Sequence, residues 1–397
     1  MSVYEDLNEA VALINALGRL PLGSSNENNQ SITKQALRLS KALTATLEAP
    51  EDAAVNMSFA IFTPMSARIA VDLKLFELIA SHSGPITAAE LSSLSGGEDQ
   101  LIIRILRPLS AVGFVKEVAE QTWVATPITK AMANDTIAAG HRMMWELMAV
   151  AVAQAPKFLK ETRYRSPANS QDGLVQYAYQ TKLSVFELIS TIPQMQRDFD
   201  IFMGSMMGTG KYWIDWYPIQ ELIIDGARDD SVLMIDIGGG NGYDLQAFER
   251  KYPQRGRLVL QDRPSVIDNI KDMHPAIEYF KYDFFTSQPI QGARVYFYHH
   301  ILHDWPDDKC LIILQQVKRA MEPGYSKLLL HELILPDKEA LTVHASFDLA
   351  VMIFNSGTLR TRKQWGRLLE SAGLELVKVW VPEKDTDGIV EAVVKEN

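Results

Sequence analysis

Cysteine is almost missing from this chain. Its 397 residues include one, Cys310, so no internal disulfide can form and stability has to come from packed cores. That usage fits a reducing, cytoplasmic setting. Long apolar runs are missing too. None approaches the ~20 residues of a bilayer-spanning helix, and the acidic Met1–Leu17 segment lacks the basic start and apolar stretch of a secretory signal. Positive charge is in short supply: 39 Lys and Arg face 49 Asp and Glu, a net charge of -10. A nucleic-acid surface normally needs a basic stripe, so that partner is not expected. Neither is a membrane. What remains is an ordinary globular composition, 47% hydrophobic and long enough for two cores. A protein acting on small molecules is the starting expectation.

Residues 3–19 read as an amphipathic helix, with Leu7, Val11, Ile14 and Leu17 at helical spacing, and a second helix is expected over 32–47. Two apolar-striped helices need a partner face, and a second copy of the chain supplies one, giving a homodimer. Over 57–133 the pattern shifts to short helices and a hairpin. Thr87 and Glu90 form a capping box. A helix over 99–112 ends at Gly113, and strands follow at 114–118 and 122–125. That order is winged-helix-like. Its commonest use is DNA binding, but the would-be recognition helix offers only Arg104 and Arg107 within an acidic protein. Residues 140–211 read as helical and rich in methionine and aromatics. Met144, Trp145, Met148, Phe199, Met203, Met206 and Met207 are candidate linings of a hydrophobic substrate chamber, since methionine adapts to irregular apolar ligands.

After Asp230 strands and helices alternate. Strands are expected at 231–237, 257–261, 277–280, 293–299, 327–335, 374–381 and 388–394, with only a polar turn before the last. That turn implies an antiparallel final pair on an otherwise parallel, doubly wound α/β sheet. The domains are drawn at 1–210, a helical, winged-helix-like dimerisation and lid domain, and 211–397, a Rossmann-like cofactor domain. The strongest motif ends the first of these strands: Asp236, then Gly238, Gly240 and Gly242 in G-x-G-x-G spacing. Dinucleotide folds use G-x-G-x-x-G to reach a pyrophosphate. Here a carboxylate at the strand end suits an ammonium-bearing amino-acid moiety better, as in S-adenosylmethionine (SAM). Asp262 ends the next strand, where an acid can accept both ribose hydroxyls, and Asp283 and Phe284 follow the third, placed to hold and stack an adenine.

Beyond the fourth strand comes His299-His300-Ile301-Leu302-His303-Asp304-Trp305. His303 sits where a reacting group would meet the methyl donor and takes a proton near neutral pH. A phenol, with its pKa of ~10, is a poor nucleophile until a base removes that proton. Glu332, near the end of the fifth strand, is placed to orient the imidazole. Asp304 joins the catalytic set and His299 the cofactor set.

The Ile301–Trp305 run, the stretch Glu332-Leu333-Ile334-Leu335-Pro336 and the Gly238–Gly242 loop together resemble the plant and fungal small-molecule O-methyltransferases, over nearly the whole chain. The resemblance implies a homodimer with an N-terminal winged-helix-like domain and a SAM domain. It implies His303 as general base, Asp236, Gly238, Asp262, Asp283 and Phe284 around SAM, and Trp305 beside it. One position departs: the family's G-x-E-R-T segment reads Gly357-Thr358-Leu359-Arg360-Thr361, so Leu359 stands in place of a second acid. Asn355 and Leu359 then count among pocket residues. Some fungal relatives with this fold keep SAM and act as pericyclases on polyketide–peptide pyridones. His141 resembles a pocket histidine of that branch, but the leporin-type pericyclase has an arginine where this chain has His303. Methyl transfer is therefore the first reading and pericyclic chemistry the alternative; a silent SAM-binding regulator is disfavoured by the His303–Glu332 pair.

Overall fold

The computed structural model describes residues 3–19, 29–206, 212–272, 274–382 and 387–395. Two compact units part between His141 and Arg142.

In the first unit, helices Val3–Gly18 and Asn29–Leu47 pack on each other, with Val11 and Ile14 left exposed. Pro50–Phe59 buries nothing. Together with the next helix it forms a 23-residue stretch, Pro50–Asp72, that by length and composition could cross a membrane, more apolar than expected above, and 28% of its most apolar window is buried. Farther on, the expected capping box closes on the helix Ala88–Ser95, where the Glu90 carboxylate accepts the Thr87 N–H at 2.8 Å. Strands β1 (Ile86–Thr87), β2 (Val115–Ala119) and β3 (Thr122–Ala125) form a small antiparallel sheet in the order β1-β3-β2. Trp123, Leu106, Phe76 and Leu75 fill the core beneath it. Helices followed by a winged sheet match the expected pattern.

The second unit is built on β4 (Val232–Ile237), β5 (Arg257–Asp262), β6 (Ile277–Lys281), β7 (Val295–His299), β8 (Lys327–Leu335), β9 (Arg360–Thr361), β10 (Leu374–Trp380) and β11 (Asp387–Val394). The order is β10-β11-β8-β7-β4-β5-β6, with the two-residue β9 pairing beside β8. All seven expected strands form, and the final pair is antiparallel. β4 is wholly buried because helices cover both faces of a parallel sheet. The chain runs from β4 outward to β5 on one side and returns to β7 on the other, so the strand order reverses at β4. Ligands in open α/β sheets bind at the carboxyl ends of the strands at such a reversal.

The boundary falls at 141/142 rather than at 210. Helices Val150–Glu161, Leu174–Tyr179 and Val185–Thr191 share a core with Ile353 of the helix Thr342–Asn355, and Ser356 Oγ donates to the Asn169 carbonyl at 3.1 Å. Apolar content alone does not reveal which neighbour a helix buries against.

Candidate active site

Asp236, the penultimate residue of β4, has no exposed surface, and among the described residues neither of its carboxylate oxygens has a hydrogen-bond partner. Burial pushes its pKa well up, and the neighbouring Asp244 and Asp262 add to the effect. An orphaned, buried carboxylate is costly unless a cation meets it, and the ammonium of an amino-acid moiety is such a cation. The glycines make the approach possible. Gly238, Gly240 and Gly242 all have positive φ, at 78°, 57° and 74°. A Cβ on Gly239 would strike the Asp236 carboxylate, and one on Gly238 would come within 2.8 Å of Ile301. Asp262 accepts the Gly240 N–H at 2.9 Å on one oxygen and the Arg263 N–H at 2.6 Å on the other. Each oxygen keeps a lone pair for a hydroxyl. Past β6, Asp283 accepts the Phe285 N–H at 3.0 Å. Phe284 and Trp305 meet edge to face at 6.0 Å, and Phe285 and Trp305 at 4.8 Å. These residues fit the cofactor that the sequence calls for.

His299 ends β7 with Nδ1 2.7 Å from an Asp244 oxygen, whose other oxygen accepts the Trp213 indole N–H at 2.8 Å. Burial opposes charge on His299, yet Asp244 outweighs it and holds the pKa up. Asp244 was not among the residues expected from the sequence. Its signal was its place two residues after Gly242, in the first turn of helix Tyr243–Lys251. His331, equally unexpected, lies ring to ring with His299 at 4.1 Å. Burial, then His299 and His300, keep its pKa well below the usual range.

His303 lies in a single 3₁₀ turn, Leu302–Asp304, just past β7. Its Nδ1 is 2.6 Å from Glu332 Oε2, while Glu332 Oε1 accepts the Leu302 N–H at 2.9 Å. Both side chains are buried. Burial favours neutral imidazole, but Glu332 and then Asp304 overcome it and hold His303 up at about 9. Burial alone would raise Glu332; His303 draws it down instead. With Nδ1 committed to Glu332, Nε2 is the nitrogen left for a proton. Asp304 flanks it at 3.5 Å, too far for a good hydrogen bond, and burial lifts the Asp304 pKa to about 6.

The other expected residues are more scattered. Met148 is buried and Phe199 half-buried in the helical cluster around Ile353. Phe199 stacks on Phe354, and Phe186 sets its edge to both. Trp145 is half-buried, whereas Met144 and Met203 are exposed. A π-helical turn over Met144–Ala149 breaks the expected phase and turns Leu147 and Met148 inward together. Met207 and the Met206 side chain lie outside the described residues. Asn355 is buried and spends its amide on the Asp304 carbonyl at 2.9 Å, which makes it a support of the turn rather than pocket lining. Leu359 is buried, with its N–H on Asp348 at 2.8 Å. His141 closes the first unit, where burial and then Arg68 hold its pKa down. Among the described residues, no cluster of histidine, cysteine and acids is arranged to hold a metal.

A sheet of seven main strands and the short β9, reversing at a glycine loop, an orphaned acid near its first strand end and a histidine–carboxylate pair past the fourth define a class I SAM-dependent methyltransferase fold. Residues 169–375 match the O-methyltransferase domain and 55–135 the O-methyltransferase dimerisation domain. The chain is 45% identical over 388 residues, 97% of each chain, to the O-methyltransferase penC of Penicillium thymicola. Among solved structures, LepI in complex with SAM matches with TM-score 0.84 at 28% identity, covering 98% of this chain and 100% of that one. OxaC with S-adenosylhomocysteine (SAH) and oxaline matches with TM-score 0.85 at 27% identity, covering 99% of each. The chain belongs to the O-methyltransferase family: it is an enzyme, and its cofactor is SAM.

Proposed function

We infer that this enzyme methylates a hydroxyl of an aromatic or polyketide-derived secondary metabolite, with His303 as general base. The observation that carries this reading is the 2.6 Å contact of His303 with buried Glu332. It fixes the ring, leaves Nε2 for the substrate hydroxyl and stabilises the imidazolium formed when that hydroxyl gives up its proton. SAM supplies an electrophilic methyl group beside the substrate oxygen. Asp236 would hold its ammonium, Asp262 its ribose hydroxyls, and Asp283 and Phe284 its adenine, with Trp305 and His299, the latter held by Asp244, as further cofactor contacts. The half-buried Phe186, Phe199 and Phe354 cluster supports a flat, apolar substrate. Similarity to penC and OxaC supports a fungal secondary metabolite as the substrate class. The dimerisation-domain match and the exposed apolar helix Pro50–Phe59 support a homodimer.

Replacing His303 by alanine tests the base. Single-turnover methyl transfer is expected to fall by about 10²–10⁴-fold, the usual worth of a positioned base, with SAM binding retained. Full transfer in that variant contradicts the reading. A second reading, a SAM-retaining pericyclase, is favoured by two features, Leu359 in the place of the family's second acid and His141, which resembles a pocket histidine of that branch. It predicts rearranged product with no SAH formed.

A further inference from the structure

The turn that carries His303 has little structure of its own. Among the carbonyls from Leu302 to Trp305, that of Leu302 accepts the Trp305 N–H at 3.3 Å, and the Cys310 thiol reaches those of Leu302 and Trp305 at 3.2 and 3.3 Å; those of His303 and Asp304 must find partners outside the turn, since a buried carbonyl without one is costly. All four carbonyls from Leu302 to Trp305 are met by one segment, residues 355–360. Arg360 Nη1 donates to the Leu302 carbonyl at 3.0 Å, and Arg360 Nη2 to that of Trp305 at 3.0 Å. Between them the Thr358 N–H donates to the His303 carbonyl at 2.8 Å, and the Asn355 amide to that of Asp304 at 2.9 Å. Gly357 allows this closeness, since a Cβ there would run into the His303 carbonyl oxygen. The Arg360 guanidinium is 1% exposed, lies 5.1 Å from the Trp365 ring centroid, and binds Asp307 through Nε and Nη2 at 3.0 and 2.7 Å.

The geometry points to Arg360, with Asn355, as a positioning clamp that sets the base-bearing turn by its main chain. A planar guanidinium carries donors at fixed angles, so bonding Leu302 and Trp305 together fixes the spacing across His303; an ammonium cannot copy that fork. The ring then falls on Glu332 without help from position 359, where a leucine stands. The arginine is the one the family's G-x-E-R-T segment also carries, so here it sets the turn through the backbone with no acid beside it at position 359. The kinetic half of this inference rests on the reading of His303 as base; the structural half does not.

The test compares the full-length enzyme with Arg360→Lys, Arg360→Met and Asn355→Leu. Asn355→Leu removes a clamp donor without disturbing a buried charge, so it serves if an arginine variant fails to fold. The first readout is amide hydrogen exchange without ligand. Faster exchange confined to 302–305, with β4 and β8 unchanged, is the expected result. The second is single-turnover methyl transfer against pH, with KM for SAM. The methionine variant should lose about 10²-fold in rate, the cost of a misplacement near 1 Å, at unchanged KM, and the lysine variant less. The acid limb of the pH profile should move down towards the ordinary histidine range as the ring leaves Glu332. The charged groups facing that ring are Glu332 on β8, Asp304 in the turn and Asp387 on β11, with His300 beside it; none of them is changed. Wild-type exchange and rate in folded variants overturn the clamp. So does faster exchange everywhere with an unmoved pH limb, which is loss of stability alone. A wild-type enzyme that transfers no methyl group overturns the base assignment, while the exchange readout still decides the clamp.

Discussion

At the scale of single residues, the proposed chemistry rests on two buried groups and each makes a prediction. Among the described residues Asp236 has no partner for either oxygen, which is the ground for proposing that it meets the ligand's cation. Asp236→Asn should weaken SAM binding by at least about 10-fold, taking a charge-assisted hydrogen bond as worth about 1.5–3 kcal/mol, with the apo fold as stable as before or more so. Calorimetric titration with SAM checks this; unchanged affinity contradicts it. The His303–Glu332 pair bears on stability as well as rate. His303 is raised to about 9, so its stabilisation is fully present below the unfolded value of ~6.5 and is lost as pH rises through about 9. Melting temperature should therefore fall between those two pH values in the wild type and be flatter in His303→Gln. Much of this site was legible in the sequence, because Asp236 and Asp262 stand at or next to strand ends, His303 just past one and Glu332 in the carboxyl half of β8, and strands are readable from apolar runs. Asp244, His331 and Arg360 were not. Their partners lie 55, 32 and 58 residues away or on neighbouring strands, and no local spacing announces such contacts.

At the scale of elements, the β4–glycine turn–helix unit does what its spacing demanded. Gly239→Ala should abolish SAM binding, because a Cβ there strikes the Asp236 carboxylate. Gly240 has φ 57°, but a Cβ there would have nothing within 4 Å. Gly240→Ala meets only the backbone penalty of about 1–2 kcal/mol and should bind SAM more weakly without losing it. Equal loss in both variants on titration contradicts this ordering. The strands were legible to within a residue or two, since buried runs of β-branched and aromatic residues bounded by turns have few other readings. The helices over 142–206 were legible as helices but not in their phase. A π-helical turn at Met144–Ala149 changes the helical phase locally, turning Leu147 and Met148 inward, and Met144 and, on the separate helix Pro193–Met206, Met203 are exposed where a chamber was expected.

At the scale of the molecule, the first unit leaves a run of apolar side chains open: Val55, Met57, Phe59, Ile61 and Phe62 are each at least 46% exposed. A patch of that kind marks an interaction surface, and it lies in the segment that matches the dimerisation domain. The wild type should sediment as a dimer, and charges at Phe59 and Ile61 should shift it to monomer with the SAM domain still folded; a monomeric wild type contradicts this. The boundary at 141/142 was hidden from composition, because a helix buried against its own unit and one buried against another unit carry the same apolar stripe.

The measurement that bears most directly on this chemistry uses SAM labelled in its methyl group. The enzyme is incubated with a panel of phenols and hydroxylated polyketides, and the mass of every product is compared with the SAH formed. A general-base methyltransferase yields a labelled methyl ether and one SAH per product, lost together in His303→Ala. An unlabelled isomer or dehydration product formed over many turnovers, with SAM intact, would contradict it.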